Sequence, residues 1–247
     1  MSETTNLHPG LSVDCVIFGF HENELKVLML KMKEMDKWAL PGGFVNIKED
    51  VDKEAINVLQ RRTGLKDIFL HQFHLFGDVS RNSQAYVDNL VKKGVIEPDM
   101  KEWFEQRFIT VGYYALVEFA NVQEPTPDNI SDKCEWLPLT ELPDLILDHA
   151  EIIRKAHQTL KTQLIYQPIG INLLPEKFTM PELQALYETV LEKELDRRNF
   201  RRKMLAYDIL IQTEERRKGG AHKAPILYMF DKDKYHQAIE KGLKSGW

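Results

Sequence analysis

Residues 179–204 read TMPELQALYETVLEKELDRRNFRRKM. Thr179 and Glu182 have the spacing of a capping box, in which both side chains accept hydrogen bonds from backbone N–H groups at a helix start. They predict a helix that runs to about Leu191. Asp196 stands where an N-cap belongs, ahead of a second helix over Arg197–Tyr207. Two short helices that meet at a tight turn are therefore expected.

The residues after this helix pair predict a hairpin. Ile209–Thr213 and Ile226–Phe230 are strand-like, and they flank the loop Glu214–Pro225, which contains Gly219 and several basic residues. Helix, turn, helix and basic hairpin is the order of a winged helix-turn-helix. The segment 167–170, QPIG, begins this part of the chain with a helix-breaking joint.

The basic residues of the chain are concentrated in this region. The 247 residues carry a net charge of -5. Residues 196–223 contain nine basic and four acidic residues, a net charge of +5, which leaves -10 on the remainder. The combination of an acidic body with a basic C-terminal module favours DNA binding. The alternative is that the basic residues are only the solvated surface charges of a helix and a loop.

The predicted DNA contacts lie on the second helix and on the hairpin. Arginine and asparagine side chains can hydrogen-bond base edges in the major groove, lysine suits a phosphate, and a basic wing can lie along the backbone or enter the minor groove. The helix residues are Arg197, Arg198, Asn199, Arg201, Arg202 and Lys203, and the wing residues are Arg216, Arg217, Lys218, His222 and Lys223.

The N-terminal part predicts a mixed α and β domain. Its strands and helices are read from apolar periodicity, with Gly64 as a helix stop and a break at Trp38–Phe44. The expected elements are a hairpin of Leu11–Phe20 and Leu25–Lys31, helices at Asp50–Thr63, Gln84–Gln106 and Asp148–Leu164, and strands at Ile68–Val79 and Phe108–Phe119, with a loop around Asn121–Lys133.

Composition excludes several classes of protein. The chain has no apolar run near the roughly 18 residues of a membrane span, and it opens without the features of a signal peptide, so a cytoplasmic protein without membrane contact is expected. Cys15 and Cys134 belong to no metal-binding motif and are expected to be buried thiols. We predict no metal ligand and no cofactor.

The segment from Gly43 to Leu65 resembles a Nudix box, G-x5-E-x7-R-E-U-x-E-E-x-G-U. Gly43, Glu49 and Gly64 match the frame, but Asn57 replaces the arginine, Val58 the first helix glutamate, and Arg61 and Arg62 the final glutamate pair. In a Nudix hydrolase these glutamates hold the divalent cation, whereas arginines repel one. The resemblance therefore implies a Nudix-like fold without catalytic residues. Glu49, Asp50, Asp52 and Glu54 are expected to be solvated first-turn charges.

As a whole the chain resembles the NrtR family of Nudix-related transcriptional regulators, especially its AraR-like, sugar-responsive members of Bacteroidetes. The resemblance rests on VDCVIFGF (13–20), LPGGFV (40–45), ELPDLILDHAEII (141–153), PIGINLLPEKFTMPELQALYE (168–188) and DRRNFRRKM (196–204). It implies an α+β fold: a Nudix-like α/β/α sandwich with a mixed sheet at 1–166, for effector sensing and dimerisation, followed by a winged helix-turn-helix at 167–247. A homodimer would bind a palindromic double-stranded operator.

The resemblance allows either a pentose or ADP-ribose as the effector, and we favour a sugar or sugar derivative. Asp14 and Lys31 are charged residues in apolar strands, and Trp38 and Phe44 offer aromatic surface for a sugar ring. The alternative is that Asp14 pairs with Lys31 at the sheet surface while Trp38 and Phe44 fill the core. Residues 82–107 are longer than the corresponding turn of the family, so effector contacts at Asp78 and Arg81 are not carried over.

Two other functions remain open from the sequence. One is a Nudix hydrolase that acts on a nucleoside diphosphate derivative such as ADP-ribose through displaced carboxylates. The other is a nucleic-acid-associated adaptor without any ligand. Ligand-dependent thermal stabilisation would separate the regulator from the adaptor.

Overall fold

The computed structural model describes residues 6–66, 68–81, 83–122, 125–128, 130–166, 171–217 and 224–241. Its first two strands, β1 (Leu7–His21) and β2 (Glu24–Met32), form the predicted hairpin. Glu22 and Asn23 join them with φ values of 53° and 61°. Two successive left-handed residues are the geometry of a type I′ turn, which matches the twist of a hairpin.

A seven-stranded sheet forms the body of the N-terminal part. Besides β1 and β2, its strands are β3 (Trp38–Ala39), β4 (Gly42–Asn46), β5 (His71–Phe76), β6 (Ile109–Glu118) and β7 (Ser131–Pro138). The strand order is β3-β2-β1-β6-β5, with β4 paired to β1 and β7 paired to β2. The predicted break at Trp38–Phe44 thus contains β3 and the start of β4. The sequence also missed β7, which begins inside the expected loop.

Within the described residues, four α-helices accompany this sheet. They are α1 (Val51–Thr63), α2 (Gln84–Lys92), α3 (Lys101–Phe104) and α4 (His149–Tyr166). Gly64 ends α1 in the left-handed conformation, with φ 73°, as the sequence predicted. The expected helical stretch over Gln84–Gln106 is two helices, α2 and α3, with a short 3-10 turn between them.

The C-terminal part has the predicted winged-helix order. It comprises β8 (Phe178–Thr179), α5 (Met180–Leu191), α6 (Arg197–Ala206), β9 (Leu210–Arg216), β10 (Ile226–Phe230) and α7 (Lys232–Lys241). The strands form a sheet of order β8-β10-β9. Both predicted caps are present: Thr179 and Glu182 make the capping box of α5, and Asp196 accepts from the N–H of Asn199 at the start of α6. The α+β prediction is confirmed.

The chain divides into two compact units. One contains the chain up to Gly19 with Lys26–Leu116 and Val122–Ala156, and the other contains Phe20–Leu25, Val117–Asn121 and the chain from His157 onward. This division falls within α4, ten residues before the boundary at 166/167 that the sequence suggested. That boundary stays a prediction. Among the described helices, none combines the length and the apolar character that a bilayer span requires.

Candidate effector cavity and nucleic-acid interface

A cavity of about 740 Å³ opens in the first unit beside β1, β4 and the end of α1. Ser12, Asp14, Gly42 and Phe44 line it together because Ser12 pairs with Phe44 and Asp14 with Gly42 across β1 and β4. Side chains of directly paired residues share a face of the sheet. Two of the four predicted effector residues, Asp14 and Phe44, therefore lie at the cavity.

The other two predicted effector residues, Lys31 and Trp38, are not among the residues that line it. They are paired with each other across β2 and β3, whereas Ala39 of the cavity wall is paired with Leu30. Since successive side chains of a strand point to opposite faces, Lys31 and Trp38 lie on the other face of the sheet. Lys31 forms an ion pair with Asp36 there and lies over the Trp38 ring. The alternative prediction, that Asp14 pairs with Lys31, is wrong, because Asp14 pairs with Arg81.

The partner of Asp14 is Arg81. Arg81 Nη2 donates to Asp14 Oδ2 at 3.0 Å, and Arg81 Nε donates to both carboxylate oxygens of Asp148 at 2.9 and 2.7 Å. The side chains of Arg81 and Asp14 are only 5% and 7% exposed. Thr110 Oγ1 adds a third contact, donating to Asp14 Oδ2 at 2.8 Å. Two carboxylates thus fix the guanidinium in place, and the Thr110 hydroxyl holds one of them.

His149 completes this network. Its Nδ1 accepts from the backbone N–H of Leu40 at 2.9 Å, so the ring proton lies on Nε2, which faces Asp14 Oδ1 at 3.5 Å. Burial lowers the pKa of His149, and the Arg81 and Arg62 guanidinium groups lower it further against the opposing effect of Asp14. A neutral imidazole that donates toward Asp14 follows from both observations.

Residues 83–107, the described part of the long segment 82–107 noted in the sequence, build an apolar wall of the cavity. Tyr86, Val87 and Leu90 of α2 line it, and Phe44 packs edge-on against Trp103 and Phe104 at 4.5 and 5.6 Å between ring centroids. The lining therefore combines charged and apolar side chains. A second cavity of about 680 Å³ shares Arg81, Tyr86 and Leu147 with the first. Leu147 has a left-handed backbone, φ 46°, which strains a side chain of this kind.

The residues that replace the Nudix glutamates are engaged within the protein. Val58 is buried against Gly43, Arg61 donates to Glu54 at 2.6 Å, and Arg62 forms an ion pair with Asp128. Glu54 is only 5% exposed, so the prediction that it is a solvated first-turn charge is wrong. Burial of its carboxylate requires a partner, and Arg61 supplies one. Within the described ranges, no group of three or more His, Cys, Asp or Glu residues could hold a metal ion.

Gly42 is needed where β4 passes Asp14. A Cβ at this position would lie 2.2 Å from Asp14 Oδ1 and 3.0 Å from the carbonyl oxygen of Val13. Because Asp14 is fixed by its partners, we expect Gly42→Ala to destabilise the protein by about 2 kcal/mol. Gly77→Ala is the matched control, since its Cβ would meet Ile109 at an ordinary 3.6 Å. Urea unfolding measures both, and equal stability of the two variants would contradict the proposed clash.

In the second unit, four arginines line one groove of about 560 Å³. They are Arg197, Arg198, Arg201 and Arg202, and the groove also contains Leu205 of the same helix, with Pro181, Gln184 and Tyr228. All four arginines are exposed, whereas Phe200 and Met204 bury the opposite side of α6 in the core. The groove is therefore a basic surface on the exposed side of the second helix of the pair.

The turn before α6 is held by side chains of α5. Glu188 Oε1 accepts from the N–H of Leu195 at 2.8 Å and from Gln184 Nε2 at 2.9 Å, and Gln184 Nε2 also donates to the Leu195 carbonyl at 2.9 Å. These contacts fix the direction in which α6 leaves the turn. Asn199 lies beside the groove, where its Oδ1 accepts from Arg202 Nη2 at 3.0 Å.

Lys203 is placed differently from the arginines. A helix turns about 100° per residue, which puts Lys203 roughly opposite the middle of the arginine face. Its side chain is half-buried, and burial together with the charge of Lys193 lowers the pKa of Lys203. The predicted phosphate contact at Lys203 is therefore not part of the groove.

The predicted wing contacts are described only in part. Arg216 is the last residue of β9, and Arg217 follows it. Arg216 Nη1 donates to the carbonyl of Ala224 at 3.0 Å, and Arg217 binds Glu182. Lys218, His222 and Lys223 lie outside the described residues.

The sequence missed Arg81, Thr110, Asp148 and His149, although a carboxylate such as Asp14 in an apolar strand signals that a cationic partner exists elsewhere in the chain.

Comparison with known proteins matches residues 170–230 to the family model of the NrtR DNA-binding winged helix domain. The chain is 29% identical over 229 residues to the ADPR responsive transcriptional repressor NtrR of Acinetobacter baylyi, covering 90% of this chain and 82% of the relative. It is 25% identical over 151 residues to the ADP-ribose pyrophosphatase of Methanocaldococcus jannaschii, covering 60% of this chain and 73% of the relative.

Among solved structures, the chain resembles Shewanella oneidensis NrtR complexed with a 27mer DNA. The TM-score is 0.69 at 25% sequence identity, covering 96% of this chain and 99% of that chain. The likeness extends over both parts of the chain.

Proposed function

Because the chain belongs to the NrtR family of Nudix-related transcriptional regulators, we propose that it binds operator DNA through its winged helix and is controlled by a small effector in the cavity of the Nudix-like unit. The observation that carries this proposal is the groove of four exposed arginines on α6. Guanidinium groups on the exposed face of such a helix can reach guanine edges and phosphates in the major groove.

A homodimer on a palindromic operator is part of the proposal. A single α6 presents about three turns of helix, enough for one half-site, and dimers of helix-turn-helix proteins bind two half-sites related by two-fold symmetry. Arg197, Arg198, Arg201 and Arg202 would supply the major-groove contacts, with Asn199 beside them. The wing contacts at Lys218, His222 and Lys223 and the cytoplasmic location stay predictions.

ADP-ribose replaces a sugar as the first effector to test. The Acinetobacter relative is named for its response to ADPR, and the relatives give no support to the sugar that we favoured from the sequence. Two cavities that share Arg81 offer room for a ligand of two halves, with polar groups near Arg81 and an aromatic ring against the wall formed by residues 83–107. A cavity of this size is ordinary for a small-molecule site.

We propose no hydrolase activity. The helix positions that would hold a divalent cation carry Val58, Arg61 and Arg62, and the two arginines are paired with carboxylates of the protein itself. The similarity to an ADP-ribose pyrophosphatase keeps the hydrolase as the competing function to be tested. Without a bound divalent cation there is no metal-held water, which is the nucleophile on which the hydrolase reaction depends.

The test is a fluorescence-anisotropy titration of the full chain against DNA from upstream of its own gene at physiological salt. A duplex of scrambled sequence is the matched control, and each titration is repeated with ADP-ribose and with pentoses. We expect selective binding that ADP-ribose shifts, and no release of AMP from ADP-ribose in the presence of Mg²⁺. Equal affinity for both duplexes together with Mg²⁺-dependent AMP release would replace the regulator with the hydrolase.

A further inference from the structure

Arg217, the residue that follows the wing strand β9, is bound to the first turn of α5. Its Nη2 donates to Glu182 Oε1 at 2.5 Å and to Oε2 at 2.6 Å. Both oxygens of the carboxylate therefore accept from one guanidinium nitrogen, and hydrogen bonds between charged groups are stronger than neutral ones. A side chain engaged in this way does not present its charge freely to a phosphate.

Glu182 is itself fixed by the helix start. Its Oε2 accepts from the N–H of Thr179 at 2.6 Å, while its own N–H donates to Thr179 Oγ1 at 3.3 Å. Burial raises the pKa of Glu182, but the hydrogen bonds from Thr179 and Arg217 outweigh that effect and hold the pKa below its ordinary value. The carboxylate is thus charged at neutral pH and cannot follow Arg217 if the wing moves.

A second ion pair joins the same strand to the chain just before β8. Lys177 Nζ lies 2.5 Å from Glu215 Oε1, two residues before Arg217. β8 and β9 are not paired with each other, because β10 lies between them in the sheet. The two ion pairs therefore add a connection that the backbone hydrogen bonds of the sheet do not provide.

We propose that Glu182 and Arg217 form a clamp that positions the wing for DNA, and that Arg217 is a positioning residue and not a phosphate contact. The proposal rests on the proposed DNA binding and reverses the sequence-based assignment of Arg217. The clamp affects the geometry of the wing and not the stability of the fold, since a half-exposed ion pair contributes little to folding stability.

The salt dependence of operator binding tests the clamp. Each phosphate contact contributes about -0.9 to the slope of log K against log salt concentration. Glu182→Gln keeps a residue that a capping box accepts at this position, and Arg217→Gln removes the cation. We expect each variant to weaken binding about three- to fivefold with an unchanged slope, and the double variant to be no weaker than either single variant.

Arg216→Gln is the matched control in the neighbouring residue. Arg216 is exposed, and its hydrogen bond goes to a carbonyl oxygen within its own hairpin and not to a carboxylate. Its charge is therefore expected to contact a phosphate, and loss of Arg216 should make the slope shallower by about 0.9. The clamp is overturned if Arg217→Gln produces that same change of slope, or if Glu182→Gln tightens binding and steepens the slope because Arg217 has been released to a phosphate.

Hydrogen exchange of the free protein separates the clamp from the proposed function. In peptides that cover β9 and β10, Glu182→Gln and Arg217→Gln should each speed amide exchange, because an unclamped wing opens more often. Unchanged exchange in both variants overturns the clamp even if DNA binds. Faster exchange in a protein that binds no duplex would support the clamp and defeat the proposed function instead.

Discussion

Replacing Arg198 and Arg201 together by alanine is expected to weaken operator binding at least about thirtyfold at physiological salt. Both side chains line the groove on the exposed face of α6. A bidentate contact between arginine and a base contributes about 1–3 kcal/mol of discrimination, so two such contacts correspond to factors between about 30 and 20,000. Loss of two cations from the DNA interface also makes the salt dependence shallower.

The same change should leave the fold intact. Arg198 and Arg201 are exposed, and the hydrogen bond from Arg201 Nη2 to the hydroxyl of Tyr228 is long at 3.5 Å. Surface substitutions of this kind usually alter folding stability by less than about 0.5 kcal/mol. Thermal unfolding of the variant should therefore follow that of the wild type, and the loss of affinity can be assigned to the groove.

Lys203→Ala is the matched control on the same helix. It removes one cation from α6, but Lys203 lies on the side away from the groove, so we expect affinity within about twofold of the wild type. Fluorescence anisotropy at several salt concentrations measures all three proteins. If Lys203→Ala weakened binding as strongly as the double variant, the charge of the helix as a whole would matter and the groove would not define the interface.

The helices and hairpins could be predicted because their signals are local. Thr179 and Glu182 are three residues apart, Asp196 immediately precedes its helix, and Gly64 immediately follows one. Each satisfies backbone groups at a helix end regardless of the rest of the fold. The side of α6 that faces outward also follows from its sequence, since Phe200 and Met204 mark the buried stripe.

The cavity could not be predicted in the same way, because its contacts join distant residues. Arg81 and Asp14 are 67 residues apart, and His149 and Leu40 are 109 apart. The sequence suggested Asp14 because a carboxylate is unusual in an apolar strand, but it offered Lys31, a nearer cation, as the partner. Only the strand alternation that turns Lys31 to the other face excludes that pairing.

Replacing Arg81 by methionine should destabilise the protein by about 3–5 kcal/mol. Arg81 is the cation between two carboxylates, and the Asp14 side chain is only 7% exposed. Removal of one partner from a buried ion pair leaves an uncompensated buried charge, which is far more costly than loss of the whole pair. Asp148, with 22% of its side chain exposed, has some access to water and contributes less to the penalty.

The double variant Arg81→Met/Asp14→Asn identifies the cause. An amide at position 14 keeps the shape of the carboxylate but carries no charge, so much of the lost stability should return. Urea unfolding followed by tryptophan fluorescence reports mainly the Nudix-like unit, because three of the four tryptophans, Trp38, Trp103 and Trp136, lie in it. A double variant as unstable as Arg81→Met alone would show that lost packing, and not an orphaned charge, is responsible.

The double variant, compared with the wild type, also connects the network to the effector. Stabilisation by a ligand grows with its concentration relative to its dissociation constant. If Arg81 contacts the effector, ADP-ribose will raise the unfolding temperature of the wild type but not that of the double variant, although the double variant is folded. A shift of equal size in both proteins would mean that Arg81 only supports Asp14 and Asp148, and the effector contacts would then have to be sought among the aromatic side chains of the wall formed by residues 83–107.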